Sequence, residues 1–224
     1  YAMFSHRLGP DEPTYADFVG RVPGKVKRAG YAKLQSFCKK AREIGCDFAW
    51  SDTCCIQAAD KAELEEETQS IFRWHTNSHV CIAYLSDSNG TQNMFDDTWF
   101  KRSWTLQDLL GPDRLKLYGS NWGELFPDVE NDKAPGSHSL KRLSEITHIP
   151  AEDIAHFKPG TDRISEKMMW AARRRTTRAE DVAYSLIGIF DVSIPIIYGE
   201  GERAFFRLME AIIQRCNHWD IFAW

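Results

Sequence analysis

The chain has no run of apolar residues long enough to span a bilayer, so no membrane partner is expected. Its six cysteines, Cys38, Cys46, Cys54, Cys55, Cys81 and Cys216, include no CxxC pair, and several fall in apolar helix or strand patterns. They read as reduced thiols of a cytoplasmic protein. The histidines show no HxxxH or His-Cys pairing, so neither a metal nor a cofactor is expected; His75 and His79 are four apart but straddle a predicted helix-to-strand junction. Vicinal Cys54 and Cys55 have no histidine placed by sequence to activate them, which favours packing over a nucleophile. Gly199-Glu-Gly201 lacks the preceding strand and third glycine of a dinucleotide fingerprint, leaving a turn and a helix start. Repeats, low-complexity tracts and a signal-peptide pattern are absent. Tyr1 opens directly into a strand-like run without an initiator Met, so the chain reads as a fragment and targeting is not judged from it.

What is present is an ordinary globular composition, 43% hydrophobic and 27% charged, long enough at 224 residues to bury a core without staples. A net charge of -4 exerts no general pull on nucleic acid or anionic lipid. Strand and helix signals alternate: strand 1–5, helix 31–44, strand 47–51, helix 61–76, strand 79–86, helix 98–110 and strand 114–118. That order predicts an α/β fold with a doubly wound, mainly parallel sheet, and the uninterrupted apolar run Val80–Leu85 suits a central strand covered on both faces. Residues 8–29, rich in Pro, Gly and charge, are too many for an ordinary connection and read as an insertion or lid. An irregular connection at 121–139 separates this α/β subdomain (1–120) from a helical C-terminal half (140–224), with helices expected near 140–147, 151–155, 165–174, 180–190 and 202–215.

Ligands of such sheets sit at the carboxyl ends of the strands, where the loops carry Ser5-His-Arg7, Asp52-Thr-Cys54 and Ser86-Asp87. Beyond the third strand, Trp104-Thr-Leu-Gln-Asp108 spaces an indole and a carboxylate one helical turn apart. Two readings stay open: a core aromatic beside a surface acid, or a carboxylate held as a site. Arg173-Arg-Arg-Thr-Thr-Arg178 lies between a helix end and the acidic start of the next, favouring dipole and intramolecular pairing over phosphate or nucleic-acid binding.

Taken together, Trp50-Ser-Asp-Thr-Cys-Cys-Ile56, Val80-Cys-Ile-Ala-Tyr-Leu-Ser-Asp87, Arg102-Ser-Trp-Thr-Leu-Gln-Asp-Leu-Leu110 and Trp170-Ala-Ala-Arg-Arg-Arg-Thr-Thr-Arg-Ala-Glu-Asp181 resemble the fungal heterokaryon incompatibility (HET) domain. Tyr184-Ser-Leu-Ile-Gly-Ile-Phe-Asp-Val192 and Tyr198-Gly-Glu-Gly-Glu-Arg-Ala-Phe205 extend the likeness over essentially the whole chain. The resemblance implies an intracellular effector of programmed cell death, joined to sensor or nucleotide-binding modules in the full-length protein and self-associating on activation. It also implies distant kinship with Toll/interleukin-1 receptor (TIR) domains, with a flavodoxin-like sheet, several of which cleave the nicotinamide–ribose bond of NAD using a glutamate in the helix after the third strand. Trp104-Thr-Leu-Gln-Asp108-Leu109 is similar to that helix in spacing and position, which makes NAD or a related nucleotide the expected substrate and Asp108 the catalytic acid. Ser5, His6, Arg7, Asp52, Thr53, Ser86, Arg102 and Trp104 are then the expected binding residues, with an arginine for the pyrophosphate. The chain departs from the pattern twice, with Asp108 where the family has Glu and Leu8 where HET domains carry Trp. The shorter acid favours the alternative of a non-catalytic assembly module, since about 1 Å of misplacement costs on the order of 100-fold in rate. A nucleic-acid binder acting through Arg173–Arg178 ranks last.

Overall fold

A computed structural model describes residues 1–20, 29–57 and 59–216. Four strands, β1 (Ala2–His6), β2 (Ala49–Trp50), β3 (Val80–Tyr84) and β4 (Leu115–Tyr118), form one sheet in the order β2-β1-β3-β4. Every pairing is parallel, with Met3 opposite Trp50 on one side and Cys81 on the other. The chain runs outward from β1 in both directions. The direction of winding therefore reverses between β1 and β3, leaving a crevice at their carboxyl ends.

Alternation along β1 divides its side chains between two cores. Ala2 and Phe4 join Val80 and Ile82 under Leu34, Phe37 and Ala41 of the helix Ala29–Glu43, while Met3 joins Cys81 and Ala83 under the opposite face. That helix is α2, because a short α1 (Tyr15–Val19) precedes it inside the insertion. Lys33 of α2 ties the insertion down by donating to Glu12 and to the Arg7 carbonyl. Residues 21–28 of the insertion lie outside the described residues.

The opposite face is covered by α3 (Lys61–Thr76) and α4 (Thr105–Leu110), and then by α5 (His138–Thr147), α6 (Ala151–Ala155), α7 (Ile164–Ala172), α8 (Asp181–Tyr184), α9 (Ile187–Phe190) and α10 (Arg203–Arg215). Leu106 and Leu109 of α4 share one core with Ile154, Ile189 and Leu208, so the two halves of the chain are packed into each other. The structure is thus α/β and doubly wound, with a helical C-terminal half.

Three elements differ from their expected extents. β2 stops at Trp50 because the amides of Cys54 and Cys55 turn back onto the Ser51 carbonyl. The helix expected over 98–110 is instead a short 3-10 turn (Thr98–Lys101) followed by α4, broken where Arg102 adopts an extended conformation and pairs with Arg175. The helix expected over 180–190 divides into α8 and α9, with Leu186 between them.

Segment 121–139 is packed along the outer edge of β4. Asn131 Oδ1 accepts from the Leu115 amide (3.1 Å) and Asp132 Oδ2 from the Leu117 amide (2.7 Å). Lys116 Nζ donates to the carbonyls of Phe126 and Val129. Lys133 Nζ donates to the carbonyls of Leu110 (3.2 Å) and Pro112 (2.6 Å), closing the end of α4. Burial pushes the Asp132 carboxyl up to about 7 and the Lys133 ammonium down to about 8.

Candidate active site

A cleft of about 1240 Å³ opens at the carboxyl ends of β1 and β2, with Phe95 and Thr98 from the segment after β3 on its rim. Asp108, on the first turn of α4, lines it with 15% of its side chain exposed. Both of its oxygens are engaged. Ser5 Oγ, at the end of β1, donates to Oδ2 (2.6 Å), and the buried Trp99 indole donates in turn to Ser5 Oγ (2.7 Å). His75 Nε2, near the end of α3, lies 3.1 Å from Oδ1. His75 Nδ1 is buried without a partner. A proton on Nε2 is therefore donated to Asp108, and Nδ1 is left unanswered.

Trp99 reaches Ser5 because the loop after β3 is fixed. Asp97 is buried and accepts from the amides of Asp87 (3.0 Å) and Trp99 (2.9 Å) and from Ser88 Oγ (2.9 Å). Tyr198, Asp181 and Arg174 from the second half build the facing wall together with Trp104. Tyr198 OH donates to Asp181 Oδ1 (3.0 Å), and Trp104 bonds the same carboxylate. Burial raises the Asp181 carboxyl, and these two bonds oppose that rise. Arg174 donates to the Arg102 carbonyl and to Thr105 Oγ1, both at 3.0 Å. Desolvation draws its guanidinium down to about 10, and the Asp108 charge works against that fall. On α3, burial and the charges of Asp52 and Glu63 push the Glu67 carboxyl up to about 8.

Of the residues expected from the sequence, His6, Arg7, Asp52, Arg102, Trp104 and Asp108 line this cleft, as does Leu8. His6 is buried, stacked on Phe4, with Nε2 3.2 Å from Asp52 Oδ1. Ser5 lies behind Asp108 rather than on the cleft surface. Thr53 is turned onto Ser51 Oγ (3.1 Å) and Ser86 onto Asp87 (3.3 Å), and neither lines the cleft. Cys54 and Cys55 sit in a turn rather than on a strand; the Cys54 thiol bonds that of Cys55 and draws it down to about 6. The Gly199-Glu-Gly201 turn is satisfied internally, since Glu180 Oε1 accepts from both glycine amides (2.7 and 2.9 Å). Among the described residues no cluster of three His, Cys, Asp or Glu side chains could hold a metal ion, and no helix is long and apolar enough to cross a membrane.

Sequence reasoning missed His75, Glu67, Arg174, Asp181 and Tyr198 as cleft residues. Leu64, Glu67, Thr68, Ile71 and His75 all line the cleft at helical spacing on α3. Polar residues interrupting that otherwise apolar face were the available signal.

The chain is similar to Vegetative incompatibility protein HET-E-1 of Podospora anserina, at 36% identity over 228 residues, which cover 95% of this chain and 16% of that protein. No family model matches the chain. No solved structure matches it.

Proposed function

From this HET-related sequence, which spans only a small part of its relative's length, we propose that the chain is the effector domain of a fungal protein of heterokaryon incompatibility and triggers cell death by cleaving NAD. The observation that carries the reading is Asp108, a carboxylate gripped by Ser5 and His75 beside the carboxyl end of β1 and still open to a large cleft. In the reaction, the bond between ribose C1′ and the nicotinamide nitrogen breaks with its electron pair going to nitrogen, so nicotinamide leaves neutral. Asp108 stabilises the positive charge developing on the ribosyl group. Water then adds at C1′ and gives up its proton to Asp108. Trp99 and Ser5 hold Asp108 in place. Kinship with TIR domains is part of this proposal. So are cytoplasmic location, self-association on activation, and attachment to a sensor or nucleotide-binding module. The test is nicotinamide release from NAD by the purified chain, alone and force-oligomerised; wild-type turnover no greater than that of Asp108→Ala would sink the mechanism.

One observation favours a second reading, a non-catalytic homotypic assembly module. Both oxygens of Asp108 already have partners, as they would in a purely structural network. That reading expects cell death to survive Asp108→Asn and to be lost when exposed residues of a self-association face are changed.

A further inference from the structure

Two arginines of the cleft are held side by side by the main chain. Arg102 and Arg175 form an isolated parallel bridge, closed by hydrogen bonds from the Arg175 amide to the Lys101 carbonyl (2.7 Å) and from the Ser103 amide to the Arg175 carbonyl (3.0 Å). Bridge partners carry their side chains on the same side, roughly 5 Å apart at the backbone. Like charges placed this way repel, so the arrangement is unfavourable without a counter-ion. Among the described residues neither guanidinium has a salt-bridge or hydrogen-bond partner, and both side chains line the cleft.

Among the described residues no acid of the cleft is ion-paired with either guanidinium. Asp108 is taken by Ser5 and His75, Asp52 by His6, and Asp181 by Trp104 and Tyr198. Glu67, whose carboxyl burial lifts to about 8, is largely uncharged near neutrality. Arg173, two residues before Arg175, adds further positive charge to the same wall, while Lys101 beside Arg102 is turned onto Asp96.

We propose that Arg102 and Arg175 form an anion subsite that takes the diphosphate of a nucleotide, one guanidinium fork on each phosphoryl group. Two rigid forks at one strand spacing suit two linked phosphates, whereas a lone carboxylate would occupy only one of them. A nucleic-acid track would carry basic charge beyond the cleft, and the chain as a whole bears a net charge of -4. This deepens the nucleotide reading above and rests on it for the nucleoside portion of the ligand.

The experiment is calorimetric titration of the Asp108→Asn chain with ADP-ribose, inorganic pyrophosphate, adenosine and a single-stranded oligonucleotide. ADP-ribose and pyrophosphate should bind, and adenosine should bind at least about tenfold more weakly than ADP-ribose. Arg102→Gln/Arg175→Gln should weaken ADP-ribose by about a hundredfold, while Arg102→Lys/Arg175→Lys, which keeps the charge and loses the forks, should fall between. Because the bridge is made by main-chain atoms, a thermal melt of each variant separates lost binding from lost folding. Unchanged ADP-ribose affinity in a folded Gln/Gln variant, adenosine binding as tightly as ADP-ribose, or tighter binding of the oligonucleotide overturns the subsite. Nicotinamide release unaffected by the Gln/Gln change overturns the subsite and leaves the hydrolytic reading standing. Arginine-dependent ADP-ribose binding without nicotinamide release does the reverse.

Discussion

Replacing Ser5 by Ala should destabilise the fold by about 3 kcal/mol. Ser5 Oγ accepts from the fully buried Trp99 indole N–H, which has no other acceptor among the described residues, and stranding a buried donor costs roughly 1–3 kcal/mol. The same atom donates to Asp108 Oδ2 at 2.6 Å. Losing that charge-assisted bond costs about 1 kcal/mol, discounted because Asp108 is partly open to water that can replace it. For a domain of this size each kcal/mol moves Tm by about 2–4 °C, so the melt should fall by roughly 6–12 °C. A double-mutant cycle with Trp99→Phe, read by urea denaturation with two optical probes, isolates the shared term. Phe carries no N–H to strand, so the double variant should be about 1–2 kcal/mol more stable than the sum of the single losses predicts. Additivity within about 0.5 kcal/mol would refute the relay from Trp99 through Ser5 to Asp108.

Glu67→Gln should stabilise the chain above about pH 8 and have little effect below about pH 4.5. The folded carboxyl titrates higher than the unfolded one, so the wild-type advantage is present at low pH and is lost as pH rises through this window, whereas Gln has no proton to lose. Tm measured against pH checks it, with a gain of about 1 kcal/mol expected after allowing for partial exposure; an equal gain at both ends would contradict the assignment. Gly188→Ala should cost about 1–3 kcal/mol or more, because the added methyl would lie 2.2 Å from Phe72 Cβ and force α9 away from α3. Since α3 carries His75, ligand binding in the cleft should fall together with stability. An unchanged denaturation midpoint would overturn that close approach.

The sheet was legible in the sequence because its strands are short apolar runs with a helix between each pair, and β3 declared itself by an unbroken run covered on both faces. The position of Asp108 was legible for a related reason: it follows from strand order and helical spacing, both local properties. The facing wall was legible only at Arg102 and Trp104, and not in what they meet. Arg102 and Arg175 meet through a main-chain bridge between segments far apart in the chain, and no periodicity encodes such a pairing. The break it imposes before α4 was hidden as well, since the apolar spacing of Trp99, Leu106 and Leu109 is satisfied equally by a helix and by a turn that delivers the same side chains to the core. Segment 121–139 was read as a plain connection from its Pro, Gly, Asp and Asn content. Nothing in that composition reveals that Asn131 and Asp132 would spend their side chains on the amides of β4.

Those two side chains bear on how copies of the chain could meet. An exposed edge strand with free amides is a template on which another chain's strand can be laid, and sheets continued in this way are a common route to filaments. Here the amides of Leu115 and Leu117 are already answered from within the chain, and the opposite edge strand, β2, is two residues long. Neither margin offers a docking strand. Among the described residues, then, the homotypic association proposed above would be built from helix and loop surfaces, with its strength set by side-chain complementarity and open to disruption by single surface substitutions.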